Sequence, residues 1–220
     1  MFDASAAHYD RLSGLLSFWS DRYYRKYALR RAGLRPGLKL LDVATGTGLV
    51  VGAALELGLT PGDVTGLDPS AGMLAENRRH HPEPVTLLQG FGEEMPFPDE
   101  SFDFVSMGYA LRHVEDLHRL FGEIRRVLKP GGRALILEIS RPESRAAFAV
   151  LEFYMGKVVP RLTRLFTGDA APARLMEYYW ATVADCVPPA TILRAMSESG
   201  LREVTRKTMG GVLNDYVGLK

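Results

Sequence analysis

Asp42, Gly46, Gly48 and Asp68 are the residues of this 220-residue chain whose types and spacing most directly imply chemistry. Asp42 closes the apolar stretch that holds Leu40 and Leu41, and glycines at 46 and 48 then break the chain into a turn. Twenty residues after Gly48, a second apolar run, Val64-Thr65-Gly66-Leu67, ends at Asp68. A strand delivering a Gly-X-Gly turn, followed by a strand ending in a carboxylate, suits an adenosine-containing cofactor. The ligand approaches bare backbone, and the acid accepts both hydroxyls of a ribose. Taken singly, the glycines also suit a plain tight turn and the acids suit helix caps. Their joint spacing in one β-α-β pattern favours the ligand.

The neighbours of the turn narrow that ligand. A dinucleotide fingerprint places a third glycine three residues beyond the second, where this chain has Val51, with Gly52 one place late. An acid at Asp42 would also repel a pyrophosphate. S-adenosylmethionine has no phosphate and carries an amino group and a sulfonium cation, so the same acid is favourable. The expected cofactor is therefore S-adenosylmethionine, with S-adenosylhomocysteine as its product, and a nicotinamide dinucleotide is disfavoured.

Stepping along the chain, apolar runs alternate with amphipathic stretches. Strands are predicted over 39–43, 63–67, 85–89, 102–107 and 133–138, and helices over 49–57, 71–80 and 117–127. Lys129-Pro130-Gly131-Gly132 is expected to stop the third of these helices. This alternation predicts an α/β fold, a doubly wound parallel sheet with helices on both faces. Residues 1–35, rich in aromatics and arginine, are expected to form an N-terminal helical lid, with a helix over 18–31. Residues 141–187 break the alternation and predict a helical insertion after strand five. A helix over 190–199 and two closing strands over 201–207 and 211–219 complete one domain spanning 1–220.

Composition bounds the partners. A net charge of +1 argues against a large electrostatic footprint for nucleic acid. One cysteine, Cys186, excludes an internal disulfide and any cysteine-cluster metal site, and fits a reducing, cytoplasmic setting. No metal is expected. His80 and His81 end a helix as an adjacent pair without the geometry of metal ligands, and are predicted to be solvated. No apolar stretch approaches the roughly 20 residues of a spanning helix, so any membrane contact is at most peripheral, through the first helix.

Several longer motifs carry a resemblance. Asp42-Val43-Ala44-Thr45-Gly46-Thr47-Gly48, Gly66-Leu67-Asp68-Pro69-Ser70 with Met73-Leu74, Met95-Pro96-Phe97-Pro98-Asp99 and Arg125-Arg126-Val127-Leu128-Lys129-Pro130-Gly131-Gly132 resemble class I S-adenosylmethionine-dependent methyltransferases. Ala7-His8-Tyr9-Asp10, Ala110-Leu111-Arg112-His113-Val114 and Leu137-Glu138-Ile139-Ser140-Arg141-Pro142 are similar to the UbiE-type ubiquinone/menaquinone biosynthesis C-methyltransferases. The resemblance implies the Rossmann-like class I methyltransferase sheet. It also implies a cofactor site built from Asp42, Gly46, Thr47 and Gly48, with Asp68, Met73, Phe91, Gly92 and Gly108 around it.

This chain departs from that pattern in three places. Phe91-Gly92 stands where the family has Asp or Asn followed by Ala, so the adenine amino group loses a partner and Phe91 is expected to pack on the ring instead. The family's Arg-Asn pair is Arg112-His113, and a small polar residue upstream of it is Gly108. The family's N-terminal His-Arg-x-Trp-Lys is Asp21-Arg22-Tyr23-Tyr24-Arg25.

These substitutions concentrate at the acceptor end. Arg112 and His113 fall just past the fourth strand, where a doubly wound sheet opens its crevice. There Arg112 is expected to stabilise a developing oxyanion, with His113 as the titratable partner. Each has a plainer alternative: Arg112 as a salt-bridge partner, and His113 as a surface residue capping the next helix. The resemblance places Tyr9 over the cofactor as a third catalytic candidate, with ordinary packing of the first helix as its alternative. The expected acceptor is a small molecule, a quinol or related aromatic ring that bears a prenyl tail. O- or N-methylation of a small secondary metabolite, or a silent cofactor-binding module, fits the same residues. Oligomeric state has no sequence signature here.

Overall fold

The computed structural model describes residues 20–81, 84–141, 144–158, 161 and 186–220. Most of the expected lid, Tyr9 included, and most of the expected insertion lie outside the described residues. The strands are β1 (Leu40–Val43), β2 (Val64–Asp68), β3 (Thr86–Gln89), β4 (Phe102–Gly108), β5 (Leu128–Ile139), β6 (Arg202–Met209) and β7 (Leu213–Leu219). They form one sheet in the order β3-β2-β1-β4-β5-β7-β6. β1 to β5 are parallel to one another, and β7 runs antiparallel between β5 and β6. The helices are α1 (Ser20–Arg31), α2 (Leu49–Glu56), α3 (Ala71–His80), α4 (Leu117–Val127), α5 (Arg145–Phe153) and α6 (Pro189–Glu198). None of the helices among these residues is long and apolar enough to cross a membrane.

The local chemistry explains each boundary near the site. β1 is buried along its whole length, as befits an apolar run at the centre of a parallel sheet. Gly48 enters α2 at φ 89°, a left-handed conformation that glycine adopts without steric cost. Ser70 caps α3 by accepting from Met73 N at 3.1 Å. Asp116 caps α4 by accepting from His118 N and Arg119 N. Leu120, Phe121, Ile124 and Val127 bury one stripe of α4 against one face of the sheet. On the other face, Tyr24, Ala28 and Leu29 of α1 pack with Val50, Val51 and Ala54 of α2. Arg31 ties α1 to the sheet through Asp215, its Nε donating to Oδ2 at 2.6 Å.

Strand five differs from expectation. It begins at Leu128, which pairs with Phe102, and the register shifts before Arg133 pairs with Phe104. The helix before it ends at Val127 as expected, but the strand begins at once, so Gly131 at φ 76° lies inside it.

The order of strands fixes the place of a ligand. Winding reverses at β1, which lies between β2 and β4, and the crevice of such a sheet opens beyond the carboxyl ends of those strands. Val43 pairs with Leu67 on one side and Met107 on the other. Ala44, Asp68 and Gly108 therefore follow at one level, at the mouth of the crevice.

Candidate active site

A cavity of about 630 Å³ opens at that level, within the range of roughly 300–1,000 Å³ usual for small-molecule sites. Asp42, Gly46, Thr47, Asp68, Met73, Phe91, Gly92, Gly108, Arg112 and His113 all line it. Residues as far apart in sequence as Asp42 and His113 are thus brought to one surface. Gly48 is the exception among the described candidates. A Cβ there would lie 2.7 Å from Asn77 Cγ and 2.8 Å from His81 Cδ2, so its bare backbone answers a close approach from α3.

Asp68, at the tip of β2, orders the turn. Its Oδ2 accepts from Gly46 N at 2.8 Å and its Oδ1 from Ser70 N at 2.9 Å. A carboxylate has about four acceptor positions, a chemistry suited to the two hydroxyls of a ribose. Gly46 has nothing within 4 Å of where a Cβ would sit, which leaves the cavity side of the turn open to a ligand. The donor set and the open turn therefore fit S-adenosylmethionine.

Asp42 is 1% exposed and accepts from Thr45 Oγ1 and Ser106 Oγ, both at 2.7 Å. Burial pushes its pKa up to about 6, while those two hydroxyls and the charge of Arg25 act the other way. Arg25 itself is buried, lines the cavity, and places its guanidinium 5.1 Å from the centre of the Tyr109 ring. Its charge lies close enough to Asp42 to lower that acid's pKa. The arginine-rich composition of the first helix was its sequence signal, but nothing there specified that this arginine turns inward.

On the β4 side, the backbone is held in an uncommon conformation. Ala44 at φ 52° and Tyr109 at φ 58° both adopt left-handed conformations just after β1 and β4. The turn Leu111–His113 follows. Glu138, buried at the end of β5, accepts from Leu111 N and Ile139 N, each at 2.9 Å. Arg112 Nη1 donates to Tyr109 O and lies 3.4 Å from Glu138 Oε1. Burial raises the pKa of Glu138, opposed by the Arg112 charge and those backbone donors. Arg112 is thus a salt-bridge partner that also lines the cavity. Glu138 was quoted in the sequence only as part of a motif; its partner is set by the pairing of β4 with β5, which no local pattern shows.

His113 lines the cavity next to it. Partial burial of the ring, and then the Arg112 charge, hold its pKa below the usual histidine value. It does not cap α4, because Asp116 fills that role. Phe91 is 65% exposed at the rim. The glycine after it is required, since a Cβ at Gly92 would lie 2.8 Å from Leu120 Cδ1 and 2.9 Å from Val43 Cγ1.

The whole chain, residues 1–220, matches the ubiE/COQ5 methyltransferase family. It is 32% identical over 226 residues to the ubiquinone/menaquinone biosynthesis C-methyltransferase UbiE of Shewanella oneidensis, covering all of this chain and 89% of that one. The chain belongs to the ubiE/COQ5 methyltransferase family. It is an S-adenosylmethionine-dependent methyltransferase with the class I fold. Among solved structures, a SAM-dependent methyltransferase from Thermotoga maritima superimposes with a TM-score of 0.68 at 21% identity, over 100% of this chain and 97% of that one. The Haemonchus contortus phosphoethanolamine N-methyltransferase 2, solved with S-adenosyl-L-methionine, gives 0.64 at 20% identity, over 90% and 52%. At such identities these two likenesses speak for the fold.

Proposed function

We propose that this enzyme methylates a ring carbon of a hydroxylated aromatic acceptor, a quinol of the demethylmenaquinol type, at the β4 side of the cavity. The observation that carries the proposal is the pairing of Arg112 with His113 on one wall of the cavity lined by Gly46 and Asp68. The name of the Shewanella relative supports carbon as the methylated atom.

When bound, S-adenosylmethionine supplies a methyl group on a sulfonium sulfur, an electrophile that needs no further activation. The chain's own tasks are alignment and proton handling. Asp68 and the Gly46 turn hold the ribose side, and Arg25 offers a counter-charge to a carboxylate. His113, with its pKa held low, is neutral at pH 7 and takes the proton of the acceptor hydroxyl. Arg112 then stabilises the phenolate oxygen, whose charge delocalises onto the ring carbon and makes it the nucleophile. Glu138 keeps the guanidinium from swinging out of the wall. After transfer the ring proton leaves to solvent, the electron pair of its C–H bond restoring aromaticity, and the phenolate oxygen takes back the proton held by His113.

Arg112→Ala separates these tasks. Turnover of demethylmenaquinol is expected to fall by about 10²-fold or more, while calorimetric affinity for S-adenosylhomocysteine changes by less than a few fold. Equal losses in turnover and cofactor affinity would place Arg112 in cofactor binding and contradict the proposal.

A further inference from the structure

We propose that His80 and His81 are positioning residues for the cofactor, holding the glycine turn from the side opposite the cavity. The sequence suggested a solvated pair at a helix end; His80 is exposed, as expected, yet both rings also reach back onto the turn. Three consecutive carbonyls are bonded to the end of α3. Gly46 O accepts from Asn77 Nδ2 at 3.3 Å, Thr47 O from His80 Nδ1 at 3.2 Å, and Gly48 O from His81 Nε2 at 3.0 Å. A carbonyl oxygen only accepts, so each imidazole must present an N–H at that nitrogen. The contact therefore fixes the tautomer of both rings.

The glycines are shaped to this contact. His81 Cδ2 would lie 2.8 Å from a Cβ at Gly48, and His81 Cε1 would lie 2.9 Å from a Cβ at Gly52. Gly52, one place late for a dinucleotide fingerprint, is thus the residue that makes room for an imidazole. Gly46 and Gly48 both adopt positive φ, and such a turn has wide conformational freedom unless something outside it restricts the backbone. Asp68 fixes the amide of Gly46; Asn77, His80 and His81 fix the carbonyls. The opposite face, open at Gly46, is left facing the ligand. A turn held in its bound shape before the ligand arrives does not lose that freedom on binding.

The inference rests on the reading that the cavity face of this turn takes the cofactor, and one titration series separates the two. Calorimetry with S-adenosylhomocysteine is run on the full chain, wild type, His80→Ala, His81→Ala, His81→Gln, Gly52→Ala and the double variant His81→Ala/Gly52→Ala. Losing one neutral hydrogen bond corresponds to roughly three- to tenfold weaker binding, expected for each histidine-to-alanine change. Glutamine keeps an N–H donor of similar reach and is expected to recover most of the loss at 81. Gly52→Ala displaces the ring and is expected to weaken binding as His81→Ala does, with no further loss in the double variant. Because alanine is the better helix residue, the free Gly52→Ala protein should still melt within a few degrees of wild type. Wild-type binding with undiminished affinity in both alanine variants, or additive losses in the double variant, would overturn the positioning role alone. A wild type that binds no S-adenosylhomocysteine would overturn the underlying reading of the cavity.

Discussion

At the scale of single residues, the cofactor end is dominated by one buried acid. Asp42 has lost almost all contact with water, and its pKa of about 6 lies within the working range of most enzymes. A folded-state pKa above the ordinary 3.8 means that protonation favours the folded free protein. The stabilising contribution is therefore present below about pH 3.8 and is lost as pH rises through about 6. Binding of a cationic cofactor has the opposite preference, for the ionised acid. Affinity for S-adenosylmethionine should therefore fall as pH drops through 6, and Asp42→Asn should flatten that profile while raising the melting temperature of the free protein at pH 7. Calorimetry from pH 5 to 8 with parallel thermal melts checks both signs, and an affinity flat across that range in wild type would contradict the assignment. Asp42 and Asp68 were visible in sequence because each ends an apolar run at a fixed distance from glycines. Arg25, Glu138 and His81 were not, because their partners Asp42, Arg112 and Gly48 are set by tertiary packing rather than by any period.

At the scale of elements, the wall of the cavity depends on how α4 holds the segment before β4. Arg125 and Arg126 look in sequence like a basic last turn that answers the helix dipole. The structure gives Arg126 a more specific task. It donates to Phe97 O at 2.7 Å, to Met95 O at 3.0 Å and to Asp99 Oδ1 at 2.8 Å, and pairs with Glu123 at 2.7 Å. Glu123 in turn accepts from Met95 N at 2.7 Å, so both sides of that backbone are tied to α4. These mutual contacts raise the pKa of Arg126 and lower that of Glu123. Arg126→Ala should destabilise the fold by about 2 kcal/mol through carbonyls left without their donor. Urea unfolding would read this, and a change below about 0.5 kcal/mol would show that solvent replaces the arginine. The elements themselves followed closely from apolar periodicity, since central strands such as β1 are buried on both faces. Residues 128–132 misled because glycine and proline mark a turn without saying that Leu128 still pairs with Phe102 beyond it.

At the scale of the whole molecule, sheet order turns a list of residues into a reaction site. Only with β1 between β2 and β4 do Asp68, the glycine turn and Arg112 border one cavity. The sequence supported this much through a β-α-β pattern and a family resemblance. The acceptor end was less legible, because Arg112 meets Glu138 only through the pairing of β4 with β5. The central claim is that one cavity positions the cofactor and directs its methyl group to a ring carbon. The direct test supplies S-adenosylmethionine carrying a ¹³C-methyl group together with demethylmenaquinol and records the NMR spectrum of the product. The account predicts a single new signal at the shift of a methyl group bonded to an aromatic carbon. A signal at the shift of a methoxy group, or an unmethylated quinol beside fully bound cofactor, would contradict it.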